Sequence, residues 1–250
     1  MAVLCALLAV GAASAVAAGT SRVSTPRVAL LLGDSLTSES MPVFVAPSGW
    51  HLEFDAWPGM APCDWMIGFH PNFLDDIQQR PAVVLIETAG NDATKCMRVD
   101  GKLPAVGSPA YLARYENALS VIFAIARNYG VPVLLIAPPP MLVPHVDAAL
   151  KTVFGWAHET KHVATSWLPR ESVALFGAFT EALPCMSNET ASLGCVRGWI
   201  LVRTLNTKYH VHFCPYVQEF TLRFTCAAYS SGETRWSRAV MRLLSRASYR

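Results

Sequence analysis

A chain of 250 residues that is 52% hydrophobic and 15% charged can bury one sizeable core, and a single domain is the default at this length. Its formal net charge of +2, with no basic stripe interleaved with aromatics, excludes an electrostatic footprint for nucleic acid or for an acidic membrane surface. Charge therefore announces no partner.

Residues 2–18 are almost entirely small or apolar and close on Ala-Ser-Ala and Ala-Val-Ala ahead of Gly19, the pattern of a secretory signal and its cleavage site. No Lys or Arg precedes the run, and its length is at the short limit for a spanning helix, for which about 20 residues are usual. A signal peptide and an uncleaved N-terminal anchor both stay open, and either exports the rest. Residues 19–26 read as a polar linker and residues 27–250 as the one domain. Beyond Cys5 there are six cysteines, Cys63, Cys96, Cys185, Cys195, Cys214 and Cys226, an even count that suggests disulfides in an exported chain. Six cysteines allow about 15 connectivities; adjacent pairing gives Cys63–Cys96, Cys185–Cys195 and Cys214–Cys226. Zinc is the competing reading, but no CxxC pair supports it.

The apolar run at 28–32 leads into Gly33-Asp34-Ser35-Leu36-Thr37 and reads as a buried parallel strand ending at a sheet rim. Ligands of open α/β sheets bind beyond the carboxyl ends of the strands, so Ser35 is a candidate nucleophile. The plainer alternative is a helix cap, a role that Ser and Asp often fill. A brief helix is expected around 38–41, kept short by Pro42 and Pro47, and a second strand at 50–54. The loop that follows holds Gly59, whose N–H can be approached closely because no Cβ is in the way. A third strand at 82–87 runs into Gly90-Asn91-Asp92. The Asn91 amide can donate to a negative oxygen, as an oxyanion hole requires, or it can simply close an Asx-turn.

Tyr111, Tyr115, Leu119, Ile122 and Ala126 recur at helical spacing through 109–128, with Gly130 as the stop. A fourth strand follows at 131–137. Strand, helix and strand at this spacing define a βαβ crossover and a mostly parallel sheet. Residues 145–179 are largely helical in pattern; His145, His158 and His162 within them lack zinc-protease spacing and read as solvated or packing histidines. Asn188-Glu189-Thr190 has the form of a glycosylation sequon. A short fifth strand is expected at 199–202, then a segment with His210 and His212. An amphipathic last helix is marked by Trp236, Val240, Leu243 and Leu244.

Singly these signals are weak; together, Ser, Gly, Asn and His after successive strands reach the same edge of one sheet. In this order the chain resembles the SGNH, or GDSL-type, hydrolases. The resemblance rests on the Gly33 to Thr37 block, Gly59, Gly90-Asn91-Asp92 and His212-Phe213-Cys214-Pro215. The flanking Cys-containing segments look like an exported, actinobacterial-like branch related to the SGNH domains of acyltransferases. The resemblance implies a flavodoxin-like three-layer α/β/α sandwich with about five parallel strands. It implies Ser35 as nucleophile and His212, rather than His210, as general base. The oxyanion would be held by the N–H groups of Ser35 and Gly59 and by the Asn91 amide. No metal or cofactor would be needed.

One position departs from the family pattern. Three residues before His212, where the family usually carries Asp, this chain has Tyr209. A backbone carbonyl or Tyr209 would then orient the imidazole, and Asn206 sits in what looks like an insertion before the block. The expected function is hydrolysis of O-acyl esters of a cell-envelope glycan or lipid outside the cytoplasm. Transfer of the acyl group to a glycan hydroxyl is the alternative, as is a catalytically impaired binding module.

Overall fold

The computed structural model of the chain describes residues 25–67, 73–139, 143–166, 182–201, 212–213 and 229–246. Its centre is a parallel sheet of β1 (Arg27–Gly33), β2 (Trp50–Ala56), β3 (Val83–Glu87), β4 (Val133–Ile136) and β5 (Ala164–Ser166). The strands run in the order β2-β1-β3-β4-β5. β1 therefore lies between β2 and β3, with Leu31 level with Phe54 on one side and Leu85 on the other. A strand flanked by neighbours and covered on both faces has no solvent side, which is why Ala29 to Leu32 show no alternation and are at most 2% exposed.

The order reverses between β1 and β3, so the crevice of this flavodoxin-like arrangement opens where those two strands end. Ser35 and Asn91 follow those ends. α1 (Ser35–Ser40) and the last helix, α5 (Ser231–Arg246), pack on each other, whereas α2 (Phe73–Gln78), α3 (Pro109–Asn128) and α4 (Pro144–Lys161) form a second packed group. Right-handed crossovers place the two groups on opposite faces of the sheet. Among the described residues no helix is long and apolar enough to cross a membrane.

α3 starts where its chemistry dictates: the Ser108 Oγ accepts the Tyr111 N–H at 3.3 Å and Pro109 fills the first turn. Its buried face is the expected stripe of Tyr111, Tyr115, Leu119, Ile122 and Ala126. Gly130 follows the helix with φ +70°.

Two expectations change. The fifth strand of the sheet is Ala164–Ser166; β7 (Trp199–Leu201) instead pairs antiparallel with β6 (Ala182–Pro184) in a separate two-stranded sheet. A three-residue strand of Ala, Thr and Ser offers no hydrophobic signature. The brief helix begins at Ser35 rather than Ser38, and a 3-10 turn, Met41–Val43, absorbs Pro42. Cys63–Cys96 and Cys185–Cys195 form disulfides. Cys214, Cys226 and the proposed signal lie outside the described residues, as does most of the expected linker.

Gly33 is required for space. A Cβ there would lie 2.2 Å from both Cβ and Oγ1 of Thr37, whereas one at Gly130 would meet nothing within 4 Å. Gly33→Ala is expected to destabilise by about 3 kcal/mol through overpacking, and Gly130→Ala by about 1 kcal/mol through its left-handed backbone alone. Urea unfolding of the two variants measures the difference.

Candidate active site

Ser35 is the first residue of α1 and is 8% exposed at the tip of β1. Its neighbour Asp34 caps the helix: Oδ1 accepts the Leu36 N–H at 3.1 Å. The other oxygen, Oδ2, accepts the Ala89 N–H at 2.6 Å and the Asn91 Nδ2 at 2.7 Å. Asp34 is fully buried, which pushes its carboxyl up to about 6, while the N–H groups of Ala89 and Leu36 pull it down. The turn after β1 is thus tied to the loop after β3 through one carboxylate.

That loop is gripped from α3 as well. Tyr111 donates its hydroxyl to the Gly90 carbonyl at 3.0 Å and Tyr115 donates to the Asn91 carbonyl at 2.8 Å. Gly90 has φ +87°, and a Cβ on it would lie 2.7 Å from Cγ1 of Val146. The Asn91 amide also donates to the Met60 carbonyl at 3.1 Å, which brings the Gly59 loop to the same place. Gly59 has φ +81° with nothing near its missing Cβ, so here the turn, not space, calls for glycine. Asp64 steadies this loop by accepting the Ala61 N–H at 2.8 Å, and the Cys63–Cys96 bond fastens it to the segment after Asn91.

The expected oxyanion donor therefore has both amide hydrogens engaged in this structure, one on Asp34 and one on Met60. Asn91 joins three loops first; to donate to a substrate oxygen it must exchange one of these partners.

His212 is 7% exposed, and its Nδ1 lies 3.1 Å from Oε2 of Glu39. The other Glu39 oxygen accepts the Phe213 N–H at 2.9 Å. Glu39 is 1% exposed and sits four residues after Ser35 on α1, so both project from neighbouring turns of one face. Tyr209, Asn206 and His210 lie outside the described residues. The acid that meets the imidazole is one that reading backward from His212 misses. Its signal was a lone Glu one helical turn after the serine.

Behind Glu39 stands the first turn of α5. Ser230 donates to the Phe213 carbonyl at 3.3 Å, and the Phe213 and Trp236 rings pack with centroids 6.0 Å apart. Glu189 fixes that turn from the β6–β7 region. It accepts from the Met186 N–H at 2.7 Å, Tyr229 at 3.1 Å, Ser231, and Arg235 Nη2 at 2.7 Å. Burial opposes ionisation of Glu189, but the bonds from Arg235 and Ser231 outweigh it and hold its carboxyl below the usual range.

One group of three potential metal ligands occurs among the described residues, Cys63, Asp64 and Cys96. The two sulfurs are bonded to each other, so neither is available as a thiolate.

Residues 62–193, just over half of the chain, match the family described as "Protein of unknown function (DUF459)". The chain belongs to that family. No curated protein matches its sequence. Among solved structures it is similar to a candidate acylhydrolase from Bacteroides fragilis, at 14% identity and a TM-score of 0.54 over 92% of this chain and 93% of that one. It is also similar to a catalytic mutant of an acetylxylan esterase from Geobacillus stearothermophilus, at 15% identity and a TM-score of 0.51 over 88% and 94%. At these identities the likeness concerns the fold, which is that of the SGNH hydrolases.

Glu233, 3% exposed, is pushed up to about 8 by burial and by the nearby Glu39 charge. A folded-state value above the ordinary 4.5 means that the protonated form favours the fold. The stability tied to Glu233 is complete below 4.5 and is lost as pH rises through about 8. Glu233→Gln, which cannot ionise, is expected to gain melting temperature relative to wild type between about pH 5 and about pH 9. A gap that stays flat across that range in differential scanning fluorimetry would show that Glu233 is not held in this way.

Proposed function

We propose that this chain is an exported serine esterase that removes acyl groups from oxygen, with Ser35 as nucleophile and His212 as general base. The observation that carries the reading is the Glu39 contact: a buried carboxylate on the nucleophile's own helix meets Nδ1 of the imidazole at 3.1 Å. A carboxylate on Nδ1 selects the tautomer with its proton there, which makes Nε2 the basic nitrogen. It also stabilises the imidazolium that forms when Nε2 takes a proton.

In the proposed sequence Ser35 Oγ attacks the ester carbonyl and its proton passes to His212 Nε2. The resulting oxyanion is held by the N–H groups of Ser35 and Gly59 and by Asn91, which gives up its bond to the Met60 carbonyl for it. Collapse expels the alcohol, which takes the proton back from His212 and leaves an acyl ester on Ser35. Water then adds to the acyl carbon with His212 again as base, the bond to Ser35 Oγ breaks, the serine takes the proton back from His212, and the carboxylic acid leaves. The two disulfides support an extracytoplasmic setting. The substrate class is an O-acyl ester of a glycan or lipid of the cell envelope, and residues 27–250 form the catalytic domain.

Residues 19–250 are expected to release p-nitrophenol from p-nitrophenyl acetate and to react at Ser35 with a fluorophosphonate, located by mass spectrometry. Ser35→Ala should abolish both reactions. Glu39→Gln should lower kcat by about 10²–10⁴, by analogy with loss of the orienting carboxylate in a triad of another fold, while Tyr209→Phe stays near wild type. Equal turnover by wild type and Ser35→Ala would overturn the reading.

A further inference from the structure

Glu87 closes β3 directly below the rim, is 2% exposed, and has no task in the chemistry proposed above. A carboxyl at the end of a fully buried strand carries a large desolvation cost, so its partners indicate what it does there. Its Oε2 accepts the Thr37 hydroxyl at 2.9 Å and lies 3.4 Å from the Asp34 N–H. These two donors bracket Ser35, one on each side of it in the chain. Thr37 is also the side chain that occupies the space above Gly33, so the same residue seals the end of β1 and reaches across to the end of β3.

We infer that Glu87 is a positioning residue: from the end of β3 it fixes the turn that carries Ser35 by receiving the Thr37 hydroxyl and the Asp34 N–H. The inference rests on Ser35 being the nucleophile. It assigns to β3 a second part in the site, beside the Asn91 loop that follows that strand.

The protonation state follows from the surroundings. Asp34 is the neighbouring carboxyl, and two adjacent buried carboxyls do not both ionise. Asp34 receives bonds from Leu36, Ala89 and Asn91, all of which favour a charge. Glu87 receives fewer, and its Oε1 is buried without a hydrogen-bond partner. Burial first, and then the Asp34 charge, push Glu87 well above the usual carboxylate range. Of the two carboxyls, Glu87 is the one its surroundings hold toward the neutral form. Glu87 therefore acts through shape and acceptor geometry, which a neutral amide of the same size reproduces.

The test compares Glu87→Gln, Glu87→Ala and Thr37→Val by steady-state kinetics on p-nitrophenyl acetate, by the rate of fluorophosphonate labelling at Ser35, and by melting temperature. Glu87→Gln should keep kcat within about threefold of wild type, because the acceptor remains. Glu87→Ala should lower kcat and the labelling rate together by about 10- to 100-fold with little change in KM, the signature of a misplaced nucleophile. Thr37→Val removes the same bond without opening a cavity and covers the case in which Glu87→Ala does not fold; it too should lower kcat at near-constant KM. Wild-type kcat in Glu87→Ala or in Thr37→Val overturns the inference. So does a Glu87→Gln variant as impaired as Glu87→Ala. If wild type itself fails to label at Ser35, the esterase reading falls first and this inference falls with it; a labelled wild type with an equally reactive Glu87→Ala removes the inference alone.

Discussion

The carboxylate of Asp34 is the constraint on which the site depends. It is buried at the junction of β1 and α1, and its bonds to Leu36, Ala89 and Asn91 join the turn that carries Ser35 to the loop of the neighbouring strand. Burying a charge without partners would be prohibitive. With three donors converging on it, the same charge becomes a fixed point around which two loops are built. Asn91 passes the connection on to Met60 and so to the Gly59 loop. Three segments far apart in sequence meet within one hydrogen-bonded cluster.

Such a cluster works only on a rigid base. β1 and β3 lie side by side in register at the middle of the sheet, with every residue from Val83 to Glu87 buried. Tyr111 and Tyr115 hold the Gly90-Asn91 backbone from α3, and the Cys63–Cys96 bond clamps the loop beside them. Polar groups gather where hydrophobic strands end, and the close packing beneath them restrains their positions. The polar cluster lies at the C-terminal edge of the sheet for this reason: strand ends leave backbone N–H and carbonyl groups unpaired, and side chains there can be polar without interrupting the core.

Much of the fold was legible because continuous apolar runs report strands buried on both faces, and Val28 to Leu32 and Val83 to Ile86 are such runs. Ala164 to Ser166 was not, since its strand character comes from pairing with β4 rather than from its own composition. Trp199 to Leu201 looked like a strand and is one, but its partner is Ala182 to Pro184, and no local pattern announces that pairing. Ser35, Gly59 and Asn91 could be placed near one another because each follows a strand of the central sheet, whereas His212 was picked on the Phe213-Cys214-Pro215 block, since the strand expected before it lies in the separate β6–β7 sheet. Glu39 could not be picked out from the neighbourhood of His212, because the contact joins residues 173 apart in sequence. The chemistry assigned to Asn91 was a donor's chemistry, and the structure agrees on the donor while directing it to Asp34 and Met60.

The position of Glu39 changes how such a site is held. An acid three residues before the histidine moves with the histidine's own loop, so the loop must fix both against the serine. Here serine and acid share one short helix, and their separation is set by the helical repeat. Only the histidine has to be brought to them, and both Glu39 oxygens receive that segment, one at the ring and one at the Phe213 N–H. The segment is backed by α5 through Ser230 and Trp236, and the start of α5 is fastened by Glu189 and Arg235 to the region closed by Cys185–Cys195. The Glu189–Arg235 pair fixes the start of α5, the helix that packs on α1 and backs the Phe213 ring. The carboxylate that meets the His212 ring is thus held on the helix that begins at Ser35, and the helical repeat sets its distance from that serine.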